Sequence, residues 1–305
     1  MAAKSGFVSI LGRPNAGKST LLNALLGAKI AIVADKPQTT RTAIQGVLTL
    51  PEAQIVFLDT PGIHKSDNLF NKRMMRTVRE AVAQPDLILF LVDVTVPFSR
   101  GDELAASALD KSPAPALLVL NKIDRLKKAE EVLPFIESYR ALREFADCLP
   151  VSATQGVGLD RLREAVIARL PDGPPFYPAD YITDQPERFL AAELIREKII
   201  HHTRQEVPHA TAVLIDRWED AGRLLRISAT IFVERDGQKG IIIGSKGNML
   251  KQIGTAARQD LEAFFGRKTF LELFVKVQPG WREDPQFLGA IDWRSRAGTS
   301  ASGDE

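Results

Sequence analysis

The feature that most constrains the fold is a glycine-rich segment at residues 12–19, whose letters GRPNAGKS fit the pattern G-x-x-x-x-G-K-[ST]. An apolar run at residues 7–11 precedes it, and leucines at helical spacing follow it in residues 20–27. We therefore predict a buried strand that turns directly into a helix, with backbone N–H groups and the positive end of the helix gathered at the turn. Such a turn is typical of a phosphate-binding loop.

The residue types in this loop match the chemistry of a bound nucleotide. Glycine at positions 12 and 17 permits backbone conformations that a Cβ forbids, and it leaves room for phosphate oxygens. We expect the Lys18 ammonium to reach the β- and γ-phosphates and the Ser19 hydroxyl to ligate Mg²⁺. The alternative is a tight strand–helix turn with an incidental lysine, which the flanking strand and helix disfavour. The residues predicted to hold the phosphates are Gly12, Asn15, Ala16, Gly17, Lys18, Ser19 and Thr20.

A second motif, Asp59-Thr60-Pro61-Gly62, follows an apolar run that reads as another buried strand. Its position after the phosphate loop predicts that Asp59 holds Mg²⁺ through a water and that the Gly62 N–H senses the γ-phosphate. An Asp-Thr-Pro-Gly stretch alone is a common turn. It is evidence for a nucleotide site only because it follows the phosphate loop in the sequence.

Between these motifs, residues 35–41 are polar and turn-prone, which predicts a mobile loop. We expect a threonine of this loop, Thr40 in preference to Thr39, to complete the Mg²⁺ shell only while the γ-phosphate is present. The alternative is an ordinary exposed loop.

Two further motifs indicate a preference for guanine. In Asn121-Lys122-Ile123-Asp124, the Asp124 carboxylate is suited to accept from guanine N1–H and the 2-amino group, which adenine does not offer. Leaving a buried carboxylate unpaired discriminates by about 10⁴-fold or more. Asn121 is expected to brace the base and the phosphate loop, and Lys122 to pack over the ring. Ser152-Ala153-Thr154 then presents its backbone to guanine O6, so the four motifs predict a GTP site and oppose a P-loop ATPase.

Hydrolysis is expected to be slow or to borrow its catalytic group, because Ile63 stands where many small GTPases place a water-orienting glutamine. His64 is a candidate base, although a lone loop histidine is more often simply solvated. The groups predicted to act on the γ-phosphate are Lys18, Thr40, Asp59 and Gly62.

The length of 305 residues allows two domains, and a proline-rich segment marks the division. Residues 1–170 alternate strands with helical patterns, which predicts an α/β domain with a mostly parallel sheet flanked by helices. Residues 171–185 read as a stiff, extended linker. Residues 186–288 predict a smaller α+β domain in the order helix, strand, strand, helix, helix, strand, and residues 289–305 a disordered tail.

The second domain carries Ile-Ile-Gly-Ser-Lys-Gly at residues 242–247, just before an amphipathic helix. A Gly-x-x-Gly loop in this setting is the core of a type II KH domain, which clamps single-stranded RNA, whereas the alternative is an ordinary glycine turn. The net charge of only +2 favours a local groove over a broad electrostatic surface. The residues predicted to contact RNA are Gly244, Ser245, Lys246, Gly247, Lys251 and Arg258.

In combination, these motifs resemble the Era family of bacterial GTPases, whose members join such a GTPase domain to a C-terminal KH domain. The likeness includes Lys-Pro-Gln-Thr-Thr-Arg at residues 36–41 and Val-Glu-Arg-Asp-Gly-Gln-Lys at 233–239, and it covers about residues 6–287. The resemblance implies a Mg²⁺-dependent GTP switch that binds the 3′ end of 16S rRNA and acts in assembly of the 30S ribosomal subunit.

The resemblance also implies a hydrophobic residue in place of the catalytic glutamine, which Ile63 matches. Asn15 matches an asparagine that coordinates a monovalent cation such as K⁺ beside the phosphates in related GTPases. Members of the family associate peripherally with the inner membrane, and we expect this chain to be a monomer.

Composition excludes several other classes. The sequence has no apolar run of transmembrane length, no signal peptide at residues 1–4, and a single cysteine, Cys148, so we expect a cytoplasmic protein. A rival function is an RNA-binding module whose nucleotide domain is structural and does not turn over. Lys18, Ser19 and Asp59 are all present, whereas a nucleotide site that had lost its activity would be expected to lack one of them.

Overall fold

The computed structural model describes residues 3–36, 39–63, 68–204 and 206–293. The chain divides into two compact units, residues 1–66 with 71–184 and residues 67–70 with 185–305. Each unit has its own sheet and its own apolar core. Among the described residues, no helix combines the length and the hydropathy needed to cross a bilayer.

The first unit is built on a six-stranded sheet in the order β2-β3-β1-β4-β5-β6. The strands are β1 (Lys4–Gly12), β2 (Ile44–Thr49), β3 (Ala53–Asp59), β4 (Leu87–Asp93), β5 (Ala116–Asn121) and β6 (Asp147–Pro150). Neighbouring strands run parallel, except that the edge strand β2 is antiparallel to β3. The mostly parallel sheet predicted from the sequence is confirmed.

Helices cover both faces of this sheet. The helices of the first unit are α1 (Lys18–Leu26), α2 (Leu69–Ala83), α3 (Arg100–Ser107), α4 (Leu133–Arg140) and α5 (Leu159–Arg169). The even and odd residues of β4 enter different cores, since Leu89 packs with residues of α1 and α5 whereas Phe90 packs with residues of α2, α3 and α4. Burial on both faces explains why these strands are continuous apolar runs rather than alternating ones.

The second unit follows the predicted order helix, strand, strand, helix, helix, strand. Its elements are α6 (Glu187–His202), β7 (Ala212–Asp220), β8 (Leu224–Val233), α7 (Asp236–Ile243), α8 (Asn248–Phe265), β9 (Lys268–Val277) and a further helix, α9 (Pro285–Ile291). Strand β8 is central, antiparallel to β7 and parallel to β9. Helices α6 and α8 bury one face of the sheet. The predicted KH fold is confirmed.

Residues 171–184, which belong to the predicted stiff, extended linker, form hydrogen bonds to strands β2 and β3 of the first unit. The Gln54 side-chain oxygen accepts from the Phe176 and Tyr177 N–H groups at 2.7 and 2.9 Å. Thr183 Oγ1 donates to the Gln45 carbonyl at 2.7 Å. Within this segment the Tyr181 N–H donates to the Pro178 carbonyl at 3.1 Å, whereas the Phe176 and Tyr177 N–H groups take their partner from the adjacent strand. The tail predicted from residue 289 begins within α9, and residues 294–305 lie outside the described residues.

Candidate nucleotide site and glycine-loop groove

The loop between β1 and α1 requires glycine at two positions. Gly12 has φ +146° and Gly17 has φ +94°. A Cβ would overlap the Leu91 carbonyl oxygen at the first position and the Asn121 amide nitrogen at the second. Asn15 is also left-handed, with φ +64°. The loop backbone is therefore packed tightly against the ends of β4 and β5.

Lys18 is buried at the first turn of α1. Its ammonium donates to the Arg13 and Gly12 carbonyls of the loop at 2.9 and 3.3 Å. Burial lowers the pKa of Lys18 to about 8, and the Asp59 carboxylate partly offsets the shift. A buried cation held only by neutral carbonyls and a nearby carboxylate is suited to receive a phosphate.

Oxygen atoms from α1, the following loop and β3 converge beside Lys18. Ser19 Oγ lies 2.6 Å from Asp59 Oδ2 and 2.7 Å from Thr40 Oγ1, and Thr40 Oγ1 lies 3.2 Å from Asp59 Oδ2. Burial raises the pKa of Asp59, while Lys18 and the bonds from Ser19 and Thr40 act in the opposite direction. Asp59 Oδ1 is buried and has no hydrogen-bond partner among the described residues. A buried carboxylate with an unused oxygen, flanked by two hydroxyls, fits the oxygen ligands that Mg²⁺ prefers.

The structure places Thr39 and Thr40 differently. The Thr39 hydroxyl donates to the Lys36 carbonyl at 2.6 Å, within its own loop. Thr40, by contrast, is buried against Ser19 and Asp59. Residues 37 and 38 lie outside the described residues, so the predicted mobility of this loop stays a prediction.

The residues predicted to read guanine lie together at the ends of β5 and β6. Asn121 Nδ2 donates to the Ala16 carbonyl at 2.9 Å, and Asn121 Oδ1 accepts from the Ala153 N–H at 3.1 Å. Asn121 therefore joins the phosphate loop to the fourth motif. The buried Ser152 hydroxyl donates to Asp124 Oδ1 at 2.5 Å and orients that carboxylate. Asp124 itself is exposed, so strong discrimination requires that a bound base cover it.

Lys122 links the same region to a carboxylate, Asp93, that belongs to none of the four sequence motifs. Its ammonium lies 2.5 Å from Asp93 Oδ2 and donates to the Asn15 carbonyl at 2.9 Å. Burial works against the ionised form of Asp93, but hydrogen bonds from Lys122 and Thr95 hold its pKa below the usual value. The signal was present in the sequence, because Asp93 ends an apolar strand just as Asp59 does.

Gly62 and Ile63 show why the side chain that directly follows the Asp-Thr-Pro-Gly motif does not orient a water. A Cβ on Gly62 would lie 2.6 Å from Pro14 Cα, so the two motifs touch backbone to backbone. The Ile63 side chain is buried in the core together with Leu11 and Val78. It therefore cannot face a water beside the γ-phosphate. His64, the candidate base, lies outside the described residues.

One cleft collects these groups. The predicted residues that line it are Asn15, Gly17, Lys18, Ser19, Thr20, Thr40, Gly62, Asn121, Lys122, Asp124, Ala153 and Thr154. Four others, Gly12, Ala16, Asp59 and Ser152, lie behind them and contact them through the hydrogen bonds described above. Residues 32–36 also line the cleft; residues 35 and 36 belong to the loop predicted beside the Mg²⁺ site, whereas no motif pointed to residues 32–34.

In the second unit, the glycine loop between α7 and α8 is strained in the way that its sequence predicts. Gly244 and Gly247 have φ of +70° and +79°, and Lys246 between them has φ +52°. A Cβ on Gly244 would lie 2.6 Å from Met249 Cβ. The loop therefore approaches α8 more closely than a larger residue would allow.

A groove runs from this loop between α8 and β9. The structure brings Gly247, Lys251 and Arg258 together along it, with the Leu271 and Leu273 side chains on the opposite wall. Ser245 and Lys246 belong to the loop itself. All six residues predicted to contact RNA thus lie in one loop and the helix that follows it, with the cations on one side of an apolar groove.

Comparisons with known proteins agree with this geometry. A family model described as "50S ribosome-binding GTPase" matches residues 7–122, and one described as "KH domain" matches residues 206–282. GTPase Era of Staphylococcus epidermidis is 48% identical over 292 residues, which are 95% of this chain and 97% of that protein. GTPase Era of Geobacter metallireducens is 51% identical over 292 residues, covering 95% and 98%.

Two solved structures share the fold of the whole chain. One is Aquifex aeolicus Era bound to GDP·AlF4⁻, and the other is Era in complex with MgGDPNP and nucleotides 1506–1542 of 16S ribosomal RNA. Each is 42% identical, has a TM-score of 0.92, and is matched over 95% of this chain and 99% of its own. Because relatives of about half-identical sequence match nearly end to end, the predicted resemblance is confirmed: the chain belongs to the Era family of GTPases.

Proposed function

We propose that this chain is a GTP-hydrolysing molecular switch that binds the 3′ end of 16S rRNA and acts in assembly of the 30S subunit. The observation that carries the proposal is that one chain holds both a nucleotide cleft and a KH groove. The solved Era complex with MgGDPNP and nucleotides 1506–1542 of 16S rRNA supports the choice of RNA, since its sequence is 42% identical over 95% of this chain.

The small subunit is preferred over the large one on the extent of the match. The family model whose description mentions the 50S ribosome spans only residues 7–122, which lie in the first unit except for residues 67–70. The 16S rRNA complex matches both units. RNA recognition resides in the KH module, so the comparison that includes this module has the greater weight.

In the nucleotide cleft, we assign three roles to residues of this chain: Mg²⁺ binding, phosphate binding and contact with the γ-phosphate. Ser19, Thr40 and Asp59 would hold Mg²⁺, which neutralises charge on the β- and γ-phosphates when bound. Lys18 gives up its carbonyl partners and donates to the phosphates instead. The Gly62 N–H is positioned by its backbone contact with Pro14 to donate to the γ-phosphate.

Turnover is proposed to be slow without a further activator, because the residue after Gly62 is a core isoleucine.

Asn15 is left-handed, exposed and at the rim of the cleft, which supports the proposal that its side chain helps to hold K⁺ beside the phosphates. Hydrolysis in K⁺ against Na⁺, for the wild type and Asn15→Ala, tests this role. A K⁺ preference that is unchanged in the variant would remove it.

Guanine selectivity is assigned to Asp124. Ser152 orients the Asp124 carboxylate, and Asn121 orients the neighbouring loops.

The switch itself is the coupling of nucleotide state to RNA affinity, and coupling between two sites is reciprocal in free energy. RNA that prefers the GTP state must therefore raise the affinity for GTP by the same factor.

We also propose that the protein is a cytoplasmic monomer that associates peripherally with the inner membrane, and that its domains are residues 1–170 and 186–288. These proposals rest on the family resemblance and on the sequence pattern. Light scattering of the purified chain tests the monomeric state, and flotation with liposomes tests the membrane association. Limited proteolysis around residues 171–185 tests the domain boundaries.

The experiment for the main proposal measures GTP hydrolysis together with binding to a copy of 16S nucleotides 1506–1542. Gly247→Asp should abolish RNA binding while GDP affinity stays unchanged. Gly222→Asp is the matched control, because Gly222 and Gly247 have similar φ of +70° and +79° and neither has an atom within 4 Å of an added Cβ. Equal loss of RNA binding in both variants would contradict the assignment of the groove.

A further inference from the structure

The sheet of the second unit exposes aromatic side chains on the face opposite α6 and α8, and α9 covers this face only at Phe232, which packs against Phe287. Along β9 the exposed positions alternate as Lys268, Phe270, Glu272, Phe274 and Lys276. Phe270 and Phe274 are 49% and 51% exposed. The solvated face of a sheet is ordinarily polar, so two half-exposed phenylalanines on the same face of one strand call for a reason beyond folding.

The rings are arranged as a platform. Residues four apart on a strand lie about 13 Å apart on the same face, which leaves each ring accessible separately. Arg226 of β8 pairs directly with Phe270, and its guanidinium carbon is 5.9 Å from the ring centroid. We define the Phe platform as Arg226, Lys268, Phe270, Phe274 and Lys276.

The platform is joined to the glycine-loop groove through a single strand. Leu271 and Leu273 of β9 line the groove, whereas Phe270 and Phe274 alternate with them on the opposite face. Within the described residues, β9 pairs only with β8, so β9 is the edge strand of the sheet, on the side where the groove lies. A chain that leaves the groove has only this edge to cross before it reaches the platform.

We propose that the Phe platform stacks bases of single-stranded RNA that continues from the groove, an inference that rests on the proposed RNA-binding function. Aromatic rings accept any base, and stacking of this kind needs no hydrogen-bond readout. Arg226, Lys268 and Lys276 lie around the rings, and Glu272 is the one acid between them on β9, while β7 adds Glu219 opposite Arg226 and Asp216 against Thr230 on the same face. Continuity with the glycine-loop groove, rather than net charge, therefore favours RNA over a protein as the occupant. Lys268 is 80% exposed and lies 3.7 Å from Glu262, which leaves its ammonium open to solvent.

The test compares two RNAs and several variants of the full chain. The short RNA has about six nucleotides, enough for the roughly four that a glycine loop clamps, and the long RNA is a copy of 16S nucleotides 1506–1542. Phe270→Ala with Phe274→Ala should weaken binding of the long RNA by about fivefold or more per ring and leave the short RNA within about twofold. Phe176→Ala is the matched control, because Phe176 is 51% exposed in the first unit.

A second pair of variants separates stacking from apolar contact. Phe274→Trp should retain the affinity for the long RNA, whereas Phe274→Leu should lose it, and unchanged melting temperatures and GTP hydrolysis show that both fold. Equal losses on both RNAs, no loss on either, or rescue by leucine would overturn the proposal. Unchanged RNA binding with lost binding to 30S particles would identify a protein-docking face instead and overturn it too. A wild-type chain that binds neither RNA would refute the underlying function, a result that is distinct because it needs no variant.

Discussion

Replacing Asp102 with asparagine should detach the phosphate loop from helix α3 and destabilise the first unit by about 3 kcal/mol. Asp102 is 6% exposed and accepts at both oxygens. Oδ2 receives Arg13 Nη1 at 2.7 Å together with the N–H and hydroxyl of Ser99 at 2.9 and 3.0 Å. Oδ1 receives the Tyr139 hydroxyl at 2.5 Å. Arg13 is the second residue of the phosphate loop, so this carboxylate fixes the loop from behind.

The magnitude follows from the bonds that an amide cannot accept. Asparagine is neutral and offers one acceptor oxygen in place of two. With that oxygen toward Arg13 and Ser99, the bond from the Tyr139 hydroxyl is lost and the Arg13 bond loses its ionised acceptor, so two charge-assisted bonds are removed or weakened. At about 1.5 kcal/mol each the loss is about 3 kcal/mol. The Arg13 side chain is 34% exposed, so it regains some hydration when its partner is lost. The expected loss of unfolding free energy is therefore at the low end of the range for breaking a buried ion pair.

Urea unfolding of the wild type, Asp102→Asn, Arg13→Ala and the double variant measures both the loss and its coupling. The exposed Asp110, replaced by asparagine, serves as the control for a charge change near the same helix. GDP affinity should fall for Asp102→Asn and not for Asp110→Asn. A loss below about 1 kcal/mol, or additive effects in the double variant, would refute the reasoning.

Three other changes have defined outcomes. Asp124→Asn should shift binding from guanosine toward xanthosine nucleotides in a competition assay, and retained guanine preference would remove the assignment of that pocket. Ser19→Ala should reduce the Mg²⁺ dependence of nucleotide affinity far more than the affinity measured in EDTA, whereas equal losses would place Ser19 outside the metal site. The pKa of Asp93 is lower in the folded chain than its ordinary 3.8, so its pairing with Lys122 stabilises the fold above about pH 4 and is lost as the pH falls through the lowered value. Asp93→Asn should therefore unfold more easily than the wild type at pH 7, by about 1 kcal/mol, and the difference should shrink in acid; a difference that grows in acid would contradict this sign.

Motifs at the ends of strands were predictable because parallel strands deliver their last residues to one edge of a sheet. Asp59 and Asn121 follow apolar runs, and both lie where the sequence analysis expects them. Asp93 was equally marked but belongs to no motif, so its role appears only when Lys122 is seen beside it. Arg13 and Asp102 are 89 residues apart, and no local pattern predicts such a pair.

Helix α2 was not among the predicted helices, although Asn68, directly before its first residue Leu69, is a typical N-cap residue. The fastening of residues 171–184 was also unpredictable. It depends on Gln54, whose amide accepts two backbone N–H groups from a segment more than a hundred residues away. The exposed face of β9 is visible in the sequence as alternation, but only the packing of α6 and α8 shows which side is open.

The most direct test of the account is the affinity of the purified chain for a copy of 16S nucleotides 1506–1542, measured with GDP and with a non-hydrolysable GTP analogue. If nucleotide state and RNA binding are coupled, the chain binds the RNA more tightly with the analogue, and the RNA raises the affinity for the analogue by the same factor. Equal RNA affinity in the two nucleotide states would contradict the switch.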